Sequence, residues 1–562
     1  MLSTKRLLYV ISVVLVISTI FMLYNINEER ASHISIERSA DPVVSAMPDQ
    51  NWEGTQQLTF VLTGESKREI YGDLYQNVRR LLDDLKLPVK ATDFVDFASL
   101  DTNTIVIFCS DAISDYADLY QLGQFVENGG RVIFAAGLPE GSIDSYLNPF
   151  LGIMEKTIKE NYNTLAFVGD LFPVQPEEMT YDGYNASTWV RVRPDAKIYV
   201  QDAEKEVPVL YTYPYGQGTS CVINGTFLAD RNCCGLLTGA IGTVADSFLY
   251  PVVGLKTIFL DNFPMVTYVN DKLCMKLYGC STEAFVRDVV WPQFQGMALR
   301  GEVAYTSAIL AEFSDAGMFT GISDSLFTSI GKSALQYGGE LVYAADCRDD
   351  VLVFNEELLN SFSSVFEHYQ VNGLALMGQT EFDPAMLTPP GVTLSAVRSR
   401  LSDEEAFHVQ DDYFAFPCAS QGNNMEDGNL FEITSVLSAY GMVSHAFDVN
   451  LLIAQDETAS WDLDKEQIAY FEDQILDETH FLTSKTLSNT ENYVNSYQSL
   501  EYEWQQDGNQ IRLNCRGAIP DQAFFLKTGR EIQSAEGLSY EEVGHGYYCL
   551  KLQSSSAVIE LG

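Results

Sequence analysis

The sequence predicts an α/β protein in four parts: an amino-terminal transmembrane helix, a Rossmann-like domain, a (β/α) barrel and a small carboxyl-terminal β-sandwich. Three observations carry that prediction. The chain has 562 residues, too many for one ordinary hydrophobic core. Between residues 56 and 500, apolar β-branched runs alternate with segments of helical spacing, the pattern of parallel strands joined by helices. Beyond 500 the chain changes to short alternating runs separated by turn residues, which is antiparallel β structure.

Composition narrows the function before any motif does. A hydrophobic fraction of 46% with 12% aromatics can fill several cores, so wholesale disorder is excluded. Acidic residues number 77 against 34 basic ones, a net charge of −43. Nucleic-acid binding needs a basic footprint, and none is present. The acidity suits solubility, or attraction to a cationic ligand such as a polymer bearing free amines. Ten cysteines in this length do not make a disulfide scaffold. No Cys-x-x-Cys occurs and Cys233-Cys234 are adjacent, so no zinc knuckle is spelled out. Cys515 and Cys549 fall on separate expected strands, where a bridge is open to them.

Leu7 to Tyr24 is apolar and uncharged, long enough at about 1.5 Å per residue to match a bilayer core. Lys5 and Arg6 precede it, which leaves the amino end cytoplasmic and sends the bulk of the chain outside the cell. Residues 1–30 are therefore expected to be a single-pass anchor with a short cytoplasmic start. Residues 31–55, polar with two prolines, are the expected linker.

The first folded region, 56–250, opens with strand Leu58–Thr63, helix Tyr71–Leu85, strand Thr104–Cys109, helix Tyr116–Val126 and strand Arg131–Ala136. Hairpins follow over Lys197–Gly225. It resembles the Rossmann-like domains of glutamine-amidotransferase type, without their nucleophile elbow. Ser110-Asp111 follows Cys109 where a Gly would be wanted, so Cys109 is read as structural. No Gly-x-Gly-x-x-Gly is present, and no dinucleotide is expected.

The second region, 251–500, centres on Lys256-Thr257-Ile258-Phe259-Leu260-Asp261-Asn262-Phe263-Pro264. A buried strand there ends in a carboxylate and is stopped by Pro264, the way a barrel delivers an acid to its carboxyl-terminal rim. Ser281 caps a helix that Pro292 bends or ends. Strand Gly301–Leu310, helix Ser323–Gln336, strand Gly339–Ala345, helix Asn355–Tyr369 and strand Gly373–Met377 follow. An amphipathic helix, Trp461–Leu476, is expected on the outside.

Four motifs occur in order: Leu260-Asp261-Asn262-Phe263-Pro264, Gly338-Gly339-Glu340-Leu341, Thr388-Pro389-Pro390-Gly391-Val392-Thr393-Leu394-Ser395 and Gly441-Met442-Val443-Ser444-His445. Together they resemble an uncharacterised bacterial family of membrane-anchored polysaccharide-deacetylase-like proteins, some associated with Pel-type exopolysaccharide production. The resemblance implies a barrel in which two acids end the first strand, one a general base and the other a metal ligand. Two His on a later loop complete a divalent-metal site, and a late His acts as general acid. Carried over, Asp261 holds the base position, Asn262 replaces the metal-binding acid, and the loop from Gly339 to Arg348 has no His. A neutral amide cannot supply the charge that helps hold the ion.

The expectation is therefore a catalytically degenerate barrel. Asp261 and His445 remain as an acid–base remnant, Asn262, Glu340 and Asp346 are candidates for contacting substrate, and no cofactor is held. The expected partner is an extracellular amino-sugar polysaccharide, with the membrane through the amino-terminal helix and polysaccharide export proteins as further partners. An active deacetylase using a divalent metal such as zinc is the alternative, and a protein-binding component of an export assembly the second. A glycosidase using two of Asp261, Glu340 and Asp346 is a weaker reading. In the last region, 501–562, Trp504, Tyr547 and Tyr548 serve either a core or a sugar-stacking face.

Overall fold

A computed structural model describes residues 44–48, 57–66, 68–141, 145–309, 323–348, 351–352, 369–377, 395–401, 406–409 and 413–562. Residues 41–354 and 371–562 form one compact unit; a second unit, 1–40 with 355–370, is described only at Tyr369 and Gln370. The expected anchor at 7–24 and the expected helix up to 368 lie outside the described residues. No helix among the described residues is long and apolar enough to cross a membrane.

The first sheet has nine strands. Thr59–Thr63, Thr104–Phe108 and Arg131–Phe134 run parallel at its centre, with Val89–Ala91 on one flank. Gly218–Ile223 joins Arg131–Phe134 in parallel, and the chain then turns antiparallel through Pro208–Tyr215 and Lys197–Asp202. The helix Glu69–Asp84 covers it with Leu74, Val78, Leu81 and Leu82, the apolar stripe its spacing predicts. Four strands between Ile153 and Val192 went unread in the sequence. In the pairing of Ile153–Glu160 with Ser187–Val192 bulges break the period of two, and Thr164–Phe167 and Glu178–Thr180 are only four and three residues long.

Among the described residues the second sheet is built on seven longer parallel strands. They are β1 (Leu255–Asp261), β2 (Tyr305–Ile309), β3 (Glu340–Arg348), β4 (Gly373–Met377), β5 (Ala396–Arg400), β6 (Phe414–Cys418) and β7 (Met442–Asp448). Each pairs with the next from β1 to β6. Past Ala419 the β6 chain runs into Ser420–Gln421, which pairs with β7, and β7 pairs with β1. The hydrogen-bonded path thus returns to its start, and side chains alternate between an inner and an outer face. The helix Trp461–Phe471 packs outside, as its pattern predicts, with Phe471 against Phe447 of β7.

The Ser281-capped helix is bent by Pro292 and not ended. Thr282–Phe285 passes through a wide turn, Val286–Val290, into Trp291–Arg300. Proline lacks an amide hydrogen and crowds the carbonyl one turn back; the wide turn accommodates both.

Two four-stranded sheets form the last layer, with Tyr502 of one facing Phe524 of the other at 5.6 Å between rings. One of their strands comes from far upstream: Ser247–Val252 pairs with Ala523–Thr528 over six residue pairs. The expected boundary at 250 therefore cuts through a strand of the carboxyl-terminal layer. Trp504, Tyr547 and Tyr548 are buried, which gives them to the core and not to a sugar-stacking face. Cys515 and Cys549 are buried free thiols.

Candidate functional site

Every residue of β1 is buried, and the strand ends at Asp261. Asn262 follows with φ of 56°, the left-handed region that Asn tolerates better than most residues. That turn stops the strand and leaves both polar side chains at the carboxyl-terminal rim.

Asp261 does not stand free. Arg398 of β5 spans the inner face and binds it bidentately, Nη1 to Oδ1 at 2.5 Å and Nη2 to Oδ2 at 3.0 Å. The guanidinium is fully buried and lies 4.9 Å above the Phe259 ring centroid. Burial works against its charge, but the Asp261 carboxylate, with Cys418 and Asp448 adding to its effect, leaves the guanidinium pKa raised. Its Nε is buried with no partner, as is the Oδ1 of Asn262. A fork-to-fork pair of this kind is strong and directional, and it occupies both carboxylate oxygens.

Asp448, at the end of β7, is in register with Asp261. Its Oδ1 accepts from the Asn262 amide nitrogen at 2.8 Å and from the Asn450 backbone at 2.9 Å. Asn423 brackets the Asp448 backbone, accepting from its amide and donating to its carbonyl. Burial raises the Asp448 pKa; the Asn262 hydrogen bond opposes this and the Asp261 charge adds to it. Cys418 lies nearby, its thiol pushed up to about 11 by burial against the pull of Arg398.

His445 is elsewhere. It pairs in register with Ile258, three residues before Asp261, and side chains alternate along a strand. Its ring therefore points to the outer face, 4.5 Å from Phe447 and 5.1 Å from Phe471 between centroids. Nδ1 shares a 2.7 Å hydrogen bond with the Ser420 hydroxyl, and burial lowers the pKa to about 3. The sheet thus separates the two members of the expected acid–base pair, because their register positions are offset by three residues, an odd step.

Glu340 opens β3 where Asp261 closes β1, so it lies toward the amino-terminal end of the ring. Ser488 binds both of its oxygens, by backbone amide and by hydroxyl. Asp346 lies on β3 with its backbone beside Met377; its side chain is outside the described ones. Asp411 and Asp412 are outside as well. The structure thus brings Asp261 and Asn262 together with Arg398 and Asp448, and not with His445 or Glu340.

Sequence reading missed Arg398 and Asp448. Asp448 carried a usable signal, an acid ending an apolar run three residues after His445. Arg398 carried a weaker one, a basic residue inside a strand buried at Ala396–Ser399.

Residues 150–336, about a third of the chain, match a family model described as an uncharacterised protein conserved in bacteria (DUF2194). The match spans the boundary expected at 250. No curated protein matches the chain. Similar solved structures include a thua-like protein from Bacteroides uniformis, at 15% identity over 35% of this chain and 95% of that one, TM-score 0.27. A beta-galactosidase from Bacillus circulans sp. alkalophilus matches at 15% identity over 34% and 31% of the two chains, TM-score 0.25. An exo-beta-1,4-mannosidase from Opitutaceae bacterium strain TAV5 matches at 15% over 34% and 36%, TM-score 0.25. The chain thus spans about a third of the length of these two glycosidases. TM-scores at this level carry no argument about fold or chemistry.

Proposed function

We propose that this chain is a membrane-anchored, extracytoplasmic protein with a polysaccharide-deacetylase-like barrel that binds or scaffolds an amino-sugar polysaccharide without cleaving it. The observation that carries this reading is the bidentate hold of Arg398 on Asp261. A general base has to take up a proton from the attacking water, whereas here the carboxylate is fixed through both oxygens as the counter-ion of a buried guanidinium.

The donor set around Asp261 does not fit a divalent cation. Asn262 turns its amide nitrogen to Asp448, His445 is on the other face of the sheet, and among the described residues no three His, Cys, Asp or Glu converge. Asp448 remains as a half-buried carboxylate at the rim, with Oδ1 fixed by two donors. A carboxylate so placed, in a chain of net charge −43, suits an ammonium group on a sugar.

The test uses the full-length chain in detergent with a partly deacetylated glucosamine polymer. Binding that weakens with salt and is unchanged by a chelator supports the reading. Absence of affinity for any aminoglycan sinks it. Stoichiometric zinc with release of acetate from the acetylated polymer would establish an active deacetylase instead. Capture of export proteins with no sugar affinity would make it a protein-binding component.

A further inference from the structure

A cleft that shares no lining residue with the Asp261 site lies between the nine-stranded sheet and the carboxyl-terminal layer. It encloses about 500 Å³, enough for a ligand of monosaccharide size. Two amines meet there. Lys197 opens the strand Lys197–Asp202, and Lys527 sits on Ala523–Thr528.

Lys527 is positioned by its surroundings. Its Nζ donates to the His545 carbonyl at 2.5 Å and lies 4.2 Å above the Tyr547 ring centroid. Gly242, on the facing helix Gly235–Val244, makes room for the stem; a Cβ there would come within 3.0 Å of Lys527 Cγ. Lys197 rests over Tyr199 at 4.6 Å. Neither amine forms an ion pair with a carboxylate among the described residues, although acids outnumber bases by more than two to one in this chain. Four acids line the cleft, Asp170, Asp246, Glu531 and Glu542, and Asp170 and Glu542 act on Lys527 without pairing with it. Asp246 is paired with Arg131 at 2.7 Å, and Glu542 accepts from the Gly546 amide at 3.3 Å. Burial lowers the Lys527 pKa to about 8, with Asp170 and Glu542 opposing that fall and Lys197 adding to it. Arg530 is turned onto the Gly508 carbonyl and Asn509, and Glu531, His545 and Tyr548 complete the charged or titratable lining.

We propose that this cleft binds a small oxyanion, the carboxylate or phosphate of a monosaccharide-sized molecule, between the amines of Lys527 and Lys197. Two neighbouring cations, one partly desolvated and neither held in an ion pair, gain from a ligand that places an anionic oxygen between them. The wider field of the chain repels anions, but at physiological salt it is screened beyond about 8 Å. The cleft is independent of the Asp261 site, so either proposal can fail alone.

The experiment is a titration of the full-length chain, its lysines tagged by ¹³C reductive methylation and read by NMR. The probes are D-glucuronate, D-glucose 6-phosphate, inorganic phosphate and neutral D-glucose. Glucuronate or the sugar phosphate should shift the Lys527 signal and raise its titration midpoint from about 8, because a bound anion favours the ammonium form. Affinity should fall as pH rises through that midpoint. Lys527→Gln should weaken anion binding about tenfold or more, the loss of one charge-assisted contact, and Lys197→Gln should weaken it less. Preference for the sugar phosphate over glucuronate would assign a phosphate site, the reverse order a carboxylate site, and inorganic phosphate binding as tightly as either a site for the free ion. Equal binding of glucose, no response to any anion, or full affinity in both variants would overturn the proposal. If Lys527→Gln does not fold, the Lys197→Gln titration decides.

Discussion

Arg398 and Asp261 are coupled tightly enough that neither can be changed alone without consequence. Arg398→Met leaves a carboxylate buried without its counter-charge, and the expected loss is about 3–5 kcal/mol of stability by urea unfolding. Asp261→Leu strands the guanidinium with a similar cost. The double variant should recover much of either loss, since two apolar groups need no partner. A double-mutant cycle showing simple additivity would mean that the pair does not act as a unit.

His445 makes a second prediction at the same scale. Burial holds it neutral, with a pKa near 3 against an ordinary 6.5, so the folded protein binds fewer protons than the unfolded chain between those values. Its contribution is complete above pH 6.5 and is lost as pH falls toward 3, with a slope of about 1.4 kcal/mol per pH unit for one proton. His445→Gln should flatten the dependence of unfolding free energy between pH 6 and 4 by about one proton. An unchanged slope would show that the ring titrates freely.

Between elements, the close packing of the helices Gly235–Val244 and Leu430–Tyr440 joins the first sheet to the ring. A Cβ at Gly235 would lie 2.3 Å from the Ser435 carbonyl oxygen, so only glycine allows this approach. The Gly235 amide donates to the Ser435 hydroxyl at 3.0 Å, and Thr238 meets Ser438 one turn on at 3.2 Å. Gly235→Val should cost about 1–3 kcal/mol through forced separation, visible as a lower Tm.

Glu432, on the second helix, is raised to about 7 by burial, against a hydrogen bond from Asn232 and with Asp230 adding to the rise. The folded state therefore favours its protonated form. That stability is complete below the unfolded value near 4.5 and is lost as pH climbs through 7. Glu432→Gln should raise Tm at pH 8 and leave it nearly unchanged at pH 4.5. A variant less stable at pH 8 would show that the ionised form is the one the fold accommodates.

For the whole molecule, the carboxyl-terminal layer is not a removable appendix. Ser247–Val252 finds its partner in Ala523–Thr528, and its Phe248, Leu249, Tyr250 and Val252 are buried. Truncation after residue 500 would expose this strand edge and its apolar face, and the expected product is aggregated protein. A 1–500 chain that is folded and monodisperse in the same detergent as the full chain would contradict the pairing.

The same strand shows where sequence reading stops. Local patterns were legible: Glu69–Asp84, Gly373–Met377, the capping Ser281 and the alternating runs past 500 follow from spacing alone, because a helix or strand imposes its period on the residues it buries. Asp261 at the end of an apolar strand was legible for the same reason. By itself, then, the sequence determined the α/β alternation, the acidic surface and the position of a carboxylate at a strand end. The tertiary structure alone decided that Arg398, 137 residues away, neutralises that carboxylate, that Asp448 stands beside it, and that His445 faces away. Those facts depend on which strands become neighbours and in what register. A shift of one residue turns a side chain to the opposite face, and no local pattern records the register between strands almost 200 residues apart.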